Sequence, residues 1–455
     1  MTALWTAADV AAATGGRASA DFTSTGITFD SREVTPGDLF VAMPGELTDG
    51  HRFVDGAFSN GAAAAVVDRP VSGPHVLVDA PARALEALGR AARARTEARI
   101  VGVTGSAGKT GTKEALAAAL SRRPDTRVHR SVKSYNNHTG VPLSLARMPA
   151  DSDYGVFEMG MNHAGEIAAL TAMVRPHVAL ITTIAPAHIE NFADEDGIAD
   201  AKGEIFRGLE PGGTAIVPYD SVHRDRLIAH ARPHAARVLT FGRERGADIR
   251  AREAVPGPGG TQIAAVLPDG ELTFTVGQPG AHWVSNALAV IAGVWALGGD
   301  VGIAGLALAE LEGLPGRGAR RRVRVADGTA TVIDESYNAN AASMAATLAV
   351  LGAESGGRKI AVLGEMRELG VASAALHAGL AEPVREAGVA FAILVGEAMA
   401  PLARALAGSV ELVHVMTAAE AATELVARLA DGDVVLIKGS NAVGLGAVVA
   451  GLETG

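Results

Sequence analysis

Gly105, Gly108, Lys109 and Thr110 stand in the stretch TGSAGKT, residues 104 to 110, a mixture of small, hydroxyl and cationic residues suited to holding a phosphate. Glycines let backbone N–H groups close around an anion with no Cβ in the way, and a helix N-terminus adds partial positive charge. On this pattern Gly105, Ser106 and Gly108 line a loop, Lys109 reaches the outer phosphates and the Thr110 hydroxyl faces Mg²⁺. The general phosphate-binding loop carries one more glycine where this chain has Val103, so the match is to the shorter GxxGKT form. A plain glycine-rich turn between strand and helix is the ordinary alternative.

A second chemical signal lies in the cations. Only six lysines occur (109, 113, 133, 202, 359 and 438), so 34 of the 40 basic residues are arginine. Such a chain keeps lysine where a compact ammonium, or an amine able to lose its proton, is needed. Lys109 fits that use, and Lys202 and Lys438 become candidates beside it. Glu158 closes the run YGVFE, and the carboxyl end of a strand is where α/β folds place ligands. His188 follows another such run, HVALITT; a lone histidine there also suits a cap or the core.

The elements that must position these groups alternate. RIVGVT reads as a buried strand before the loop and KEALAAALSR as a helix after it. YGVFEMG, HVALITTIAP, GTAIVPYD and RVLTFGR follow as strands separated by helix-length segments, which implies a mostly parallel sheet covered on both faces. Before them, GITFDSREV, GDLFVAM and FVDGAFSNGAAAAVVD outline a smaller α/β unit. After them come a β-rich stretch over GADIRAREAVPGPGGTQIAAVLPDGELTFTVGQPG and the helix NALAVIAGVWAL. The Pro/Gly/Arg-rich LEGLPGRGARRR reads as an interdomain hinge, and TATVIDES, KIAVLGEM, VAFAILVGE and DVVLIKGS supply a further set of strands.

At 455 residues, two or three domains are expected. A net charge of −10 argues against a general nucleic-acid binder. No apolar run reaches membrane-spanning length and the N-terminus lacks a basic-then-apolar leader, so the chain reads as soluble and cytoplasmic. With no cysteine, disulfides, thiolate catalysis and cysteine-held metal are excluded.

Several stretches also line up in order: FDSREVTPGDLFVAMPGELTDGHRF, TGSAGKT, YNNHTGVPLSL, FEMGMNHAGEI, AHIENF, AKGEIF, SNALAV, IDESYNAN, LGEMRELG and IKGS. Together they resemble the Mur ligase family of peptidoglycan precursor synthesis. The resemblance implies an α/β chain of three domains: a small UDP-substrate-binding domain over 1–97, a central parallel-sheet ATP-binding domain over 98–314 and a Rossmann-like ligase domain over 315–455. It implies an ATP- and Mg²⁺-dependent ligase that joins D-alanyl-D-alanine to UDP-N-acetylmuramoyl-tripeptide through an acyl phosphate. Such an activity serves cell-wall biogenesis, and with it cell shape and division; a monomer is the expectation.

The resemblance also distributes roles. Thr110, Glu158, His188 and Lys202 form the Mg²⁺ set, Lys202 as a carbamate, and Lys109 offsets phosphate charge; Lys109, Glu158, His188 and Lys202 are thus the catalytic group. Gly105, Ser106, Gly108, Asn286, a hinge arginine (Arg317, with Arg320 the alternative) and Asp334 or Glu335 take the nucleotide. Trp283 stands where the family often has a second polar contact to the base. Ser31, Arg32, Thr48, Asp49, Gly50 and His51 would hold the uridine diphosphate. Asn136, Asn137 and Thr139 suit the sugar-phosphate, although a helix cap is their ordinary alternative. Tyr337, Asn338, Asn340 and Lys438 face the substrate cleft. His377 also matches, whereas Asn441 departs from the arginine common after KGS. Rival readings are a family member that adds a single amino acid, folylpolyglutamate synthase, which should lack the DSREVTPGDLF domain, and a P-loop ATPase without ligation.

Overall fold

The computed structural model describes residues 3–45, 48–187, 189–257 and 259–453. Three main sheets follow one another along the chain. The first has five strands in the order Arg17–Ala18, His75–Leu77, Ala64–Val67, Asp38–Val41 and Gly26–Thr28, all pairs parallel except the first. The last has six, from Ala319–Val325 through Gly328–Glu335, Val434–Lys438, Lys359–Gly364 and Phe391–Val395 to Glu411–Val415. Only its Ala319–Val325 pair is antiparallel.

Between them lies a nine-stranded sheet. Its parallel part runs Ile249–Gly257, Arg237–Gly242, Thr214–Pro218, Val178–Ile181, Arg99–Thr104, Tyr154–Glu158 and Val128–Arg130. The strand Arg99–Thr104 is buried from Ile100 onward, as a strand covered on both faces must be. On one face the helix Ala281–Ala296 packs closely enough that a Cβ on Gly293 would come 2.8 Å from Leu116 of the helix Lys109–Ser121. On the other, Ile167, Leu170, Ile198 and Phe206 close over Ile100, Phe157 and Ile181.

From Arg99–Thr104 the chain goes first to the strands on one side and then, at Val178–Ile181, to the other. The strand order therefore reverses here, and a crevice opens at the carboxyl ends of these strands. The β-rich stretch after residue 247 adds two antiparallel strands, Gly260–Leu267 and Gly270–Val276, to the same sheet. The hinge is shorter than the composition of LEGLPGRGARRR suggests. Leu314 bridges Arg317 and Gly318, but Ala319–Arg322 already pair in the last sheet. Arginines at its edge are compatible with an exposed strand, because edge charge discourages pairing with other chains.

The first unit is tied down by the helix Gly140–Ala146, every residue of which is buried. Its Leu143 and Ala146 join the first unit's core, the Ala146 carbonyl accepts from the Trp5 indole at 2.9 Å, and Arg147 donates to the Ile27 carbonyl at 2.7 Å. Among the described residues no helix is long and apolar enough to cross a membrane.

Candidate active site

The glycine-rich loop is shaped by what presses on it. Gly108 has φ +80° and precedes the helix Lys109–Ser121; a Cβ there would meet Asn286 Oδ1 at 2.7 Å. A Cβ on Gly105 would lie 1.9 Å from the Thr182 hydroxyl. Thr182 Oγ1 donates to the Ala107 carbonyl at 2.6 Å. The Ser106 hydroxyl donates to the Ala185 carbonyl at 2.8 Å and accepts from the Ala185 amide at 3.0 Å. The loop is thus pinned to the exit of the neighbouring strand, leaving backbone N–H groups at a helix start for a phosphate, a fit that side chains at either glycine would spoil. Lys109 is folded over its own loop, donating to the Gly105 carbonyl at 2.7 Å. Burial pushes its pKa down, Glu158 opposes that and Arg317 adds to it.

Glu158 is buried and accepts from Thr110 Oγ1 at 2.8 Å and Asn136 Nδ2 at 2.7 Å. A hydroxyl and a carboxylate side by side at the mouth of a phosphate loop are the hard oxygen donors that suit Mg²⁺. Among the described residues no group of three His, Asp or Glu side chains forms a metal cage; His188 lies outside the described residues. Lys202 is 1% exposed, and burial together with the charge of Lys109 pushes its pKa well down.

The last unit supplies the opposite wall. Arg317 stacks over Tyr337, 4.1 Å from guanidinium carbon to ring centre, and donates to Ser134 Oγ at 3.0 Å. Lys438 donates to the Asn338 carbonyl at 2.8 Å and pairs with Glu335 at 3.5 Å. Burial pushes the Lys438 pKa down while Glu335 opposes it. Asn340 Nδ2 donates to the Ser106 carbonyl at 3.2 Å, bridging the last unit to the phosphate loop, while its Oδ1 caps the helix Ala341–Ala353. These groups, with Asn286 and Trp283, line a cleft of about 540 Å³, ample for a nucleotide-sized ligand.

The geometry separates alternatives that the residue types leave open. Arg317 faces the cleft, whereas Arg320 pairs with Glu354. Glu335 lines the cleft; Asp334 is buried and shapes the turn, accepting from the Gly316 amide at 2.7 Å and the Ser336 hydroxyl at 2.6 Å. Asn136 lines the cleft. Asn137 Oδ1 instead accepts from the Gly140 amide at 2.9 Å and the Thr139 hydroxyl at 3.0 Å, so these two organise the start of the buried helix. His377 accepts from the Met366 amide at 2.9 Å, holding the LGEMRELG loop from within the core.

The first-unit residues stand apart from this cleft. Arg32 is 87% exposed and pairs with Asp30 at 2.6 Å; Ser31 lies in the same turn, its carbonyl accepting from Asn60. Asp49 pairs with Arg69 and accepts from the His51 amide, the His51 ring lies 3.6 Å from Asp68, and the Thr48 carbonyl accepts from Gly45. Gly50 has a packing reason of its own, since a Cβ would sit 2.3 Å from the Met43 carbonyl.

Three cleft groups escape a motif reading. Thr182 supports the loop from the end of the strand HVALITT, and that position was the available signal. Ser134 anchors Arg317 through a contact between residues 183 positions apart, which spacing cannot reveal. His282 lines the cleft with a buried Nδ1 that has no hydrogen-bond partner, and burial, with Lys438 nearby, pushes its pKa to about 4, so the imidazole is neutral.

Comparison with known proteins extends this picture. Residues 23–134 match the Mur ligase family, catalytic domain; residues 103–294 the Mur ligase middle domain; and residues 320–441 the Mur ligase, glutamate ligase domain. The UDP-N-acetylmuramoyl-tripeptide--D-alanyl-D-alanine ligase of Escherichia coli K12 is 36% identical, the alignment covering 95% of each chain. The ligase of the same name from Bacillus subtilis is 35% identical, covering 77% of this chain and 76% of its own. A crystal structure of MurF from Acinetobacter baumannii superposes with a TM-score of 0.85 at 32% identity over 99% of both chains. The MurF ligase of Thermotoga maritima, solved in complex with ADP, superposes at 0.77 and 28% identity, covering 94% of this chain and 97% of its own. The three matches, the first two overlapping, run in order along the chain, and the identity extends over nearly the full length, so the chain belongs to the Mur ligase family and has its α/β fold.

Proposed function

We propose that this chain is the ATP-dependent ligase that adds D-alanyl-D-alanine to UDP-N-acetylmuramoyl-tripeptide, acting in the cytoplasm. The observation that carries the reading is the cleft itself: a phosphate loop with Thr110 and Glu158 on one wall, and Arg317, Glu335 and Lys438 of another domain on the opposite wall. Phosphoryl transfer followed by amide formation needs such a two-walled site. The similarity to ligases of that name supports the choice of substrates, and a cleft completed within one chain supports a monomer as the working unit. We assign the domains to 1–97, 98–314 and 315–455 as above.

In this reading a carboxylate oxygen of the tripeptide attacks the γ-phosphorus of ATP, and the bond to the bridging oxygen breaks to release ADP. The amine of the dipeptide then attacks the acyl carbon; the C–O bond to phosphate breaks and the amine loses a proton, giving amide and phosphate. Two bound Mg²⁺ ions would neutralise phosphate charge; Thr110 and Glu158, with His188, would hold one, and carbamylated Lys202 would help hold the second. The chain's own groups do the rest. Lys109 leaves the Gly105 carbonyl to meet the outer phosphates, Gly105, Ser106 and Gly108 cradle them, and Arg317 approaches from the other wall. Asn286, pressed against Gly108, lies beside the base and Glu335 at the ribose. Lys202 is buried beside Lys109, which favours its neutral amine. The neutral amine is the form that adds CO₂, and the resulting anion would turn a repulsion from Lys109 into an attraction. Asn136, Tyr337, Asn338, Asn340 and Lys438 face the reacting groups, Asn137 and Thr139, while organising the helix start, lie at the sugar-phosphate, and Ser31, Arg32, Thr48, Asp49, Gly50 and His51 hold the uridine diphosphate. Closure of the two walls excludes the water that would hydrolyse the acyl phosphate.

The test is phosphate release with ATP, Mg²⁺ and UDP-N-acetylmuramoyl-tripeptide, comparing D-alanyl-D-alanine with single amino acids. Release coupled to the dipeptide, with a UDP-pentapeptide by mass, is expected. Release with a single amino acid would move the chain to another branch of the family, and release with neither acceptor would leave an ATPase.

A further inference from the structure

Lys113 has no part in the chemistry above, yet it is the most enclosed cation of the phosphate-loop helix, at 0% exposure. A buried ammonium is costly unless its hydrogens are used. Lys113 Nζ donates to the Ser131 carbonyl at 2.7 Å and the Lys133 carbonyl at 2.9 Å, and pairs with Glu114 at 2.9 Å, whose other oxygen accepts from Arg130 at 2.6 Å. One side chain one turn beyond Lys109 thus fastens the segment 131–133 to the phosphate-loop helix.

That segment opens the loop on which several cleft contacts depend. Lys133 adopts φ +50°, a conformation a lysine holds only where surroundings impose it, and its carbonyl is one of the two that Lys113 grips. The next residue, Ser134, anchors Arg317, and two further on Asn136 orients Glu158. The Lys133 side chain reaches the other way, pairing with Glu33 of the first unit, and Tyr135 meets the same carboxylate at 3.3 Å.

We infer that Lys113 is a positioning residue for the nucleotide site: by holding the carbonyls of Ser131 and Lys133 it sets the loop that places Ser134 beneath Arg317 and Asn136 against Glu158. The inference rests on the nucleotide reading of the cleft. An arginine cannot offer the same compact set of three donors in this enclosure, which accounts for a lysine in so arginine-rich a chain.

The experiment is direct binding of Mg·ADP by calorimetry to the full chain, which needs neither acceptor substrate nor turnover. Wild type is expected to bind; failure of wild type to bind would remove the nucleotide reading and this inference with it. Lys113→Met should weaken binding tenfold or more, and Ser134→Ala should weaken it severalfold by freeing Arg317. In the double variant the loss should be clearly less than the product of the two, because both act through one loop. Lys133→Ala, which keeps the gripped carbonyl and removes only the side chain, should bind within twofold of wild type. The inference is overturned if folded Lys113→Met binds Mg·ADP like wild type, or if the two losses simply multiply. Should Lys113→Met not fold, Ser134→Ala and Lys133→Ala still decide: equal losses in both, or none in Ser134→Ala, would overturn it.

Discussion

The cleft and the first-unit loops both collect polar side chains, but they satisfy them in opposite ways. In the cleft the partners come from distant parts of the chain: Thr110 with Glu158, Ser134 with Arg317, Asn340 with the Ser106 carbonyl. In the first unit the pairs are exposed: Arg32 with Asp30 two residues away, and Asp49 with Arg69 twenty away. Buried polar networks are rigid because leaving any member unpaired is expensive, whereas exposed ion pairs contribute little and exchange readily. The cleft is therefore pre-organised, as the proposed chemistry requires, and the first unit presents exposed charges whose pairs exchange readily.

That contrast can be broken by mutation, most severely in the cleft. Lys109→Met should lower kcat/KM in the phosphate-release assay by on the order of 10³-fold, comparable to losing a preorganised donor to developing charge. A loss no larger than that of a first-unit variant would end the comparison. Lys202→Ala should lose roughly 10²-fold, the scale for disturbing a metal site, and recover in part with added short-chain carboxylate. Lys202→Arg should stay inactive; activity like wild type in that variant would sink the carbamate.

Protons probe a third region, the edge strand Val128–Arg130 of the nine-stranded sheet. Burial holds the pKa of His129 down at about 4, while its Nε2 meets the Ser144 carbonyl at 2.7 Å. The unfolded chain takes up this proton near pH 6.5 and the folded chain only near 4. The associated stability is therefore complete above pH 6.5 and lost as pH falls, at about 1.4 kcal/mol per pH unit, until the folded pKa is reached. Denaturant unfolding should show the difference between pH 7 and pH 5 shrinking by about 2 kcal/mol in His129→Phe; an unchanged difference would assign the acid sensitivity elsewhere. Smallest is Arg32→Ala, which should raise KM for the UDP substrate by about fivefold and leave the melting temperature nearly unchanged, because an exposed pair contributes little to stability. A large drop in melting temperature would show that the Arg32 pair is structural.

Much of the fold was legible because strand-and-helix alternation with fully apolar strands admits few arrangements other than parallel sheets. The hinge was overextended for a local reason: arginine and glycine punctuate a sequence, yet Arg320, Arg321 and Arg322 alternate on an edge strand, where charge is welcome. Asn136 and Asn137 show the limit at the site. Adjacent and identical in type, they diverge because one reaches Glu158 and the other the helix start at Gly140.

By itself the sequence determined the phosphate loop, the carboxylate at a strand's end, the retained lysines and the order of motifs along the chain, because these depend on residue type and on spacing within single elements. Tertiary structure placed the preferred Arg317, not Arg320, at the cleft, and it alone decided Glu335 over Asp334 there and the ties of Ser134 to Arg317 and of Lys113 to its loop. Those choices depend on which strands lie side by side and how the sheets meet, and contacts between residues up to 234 positions apart leave no local trace.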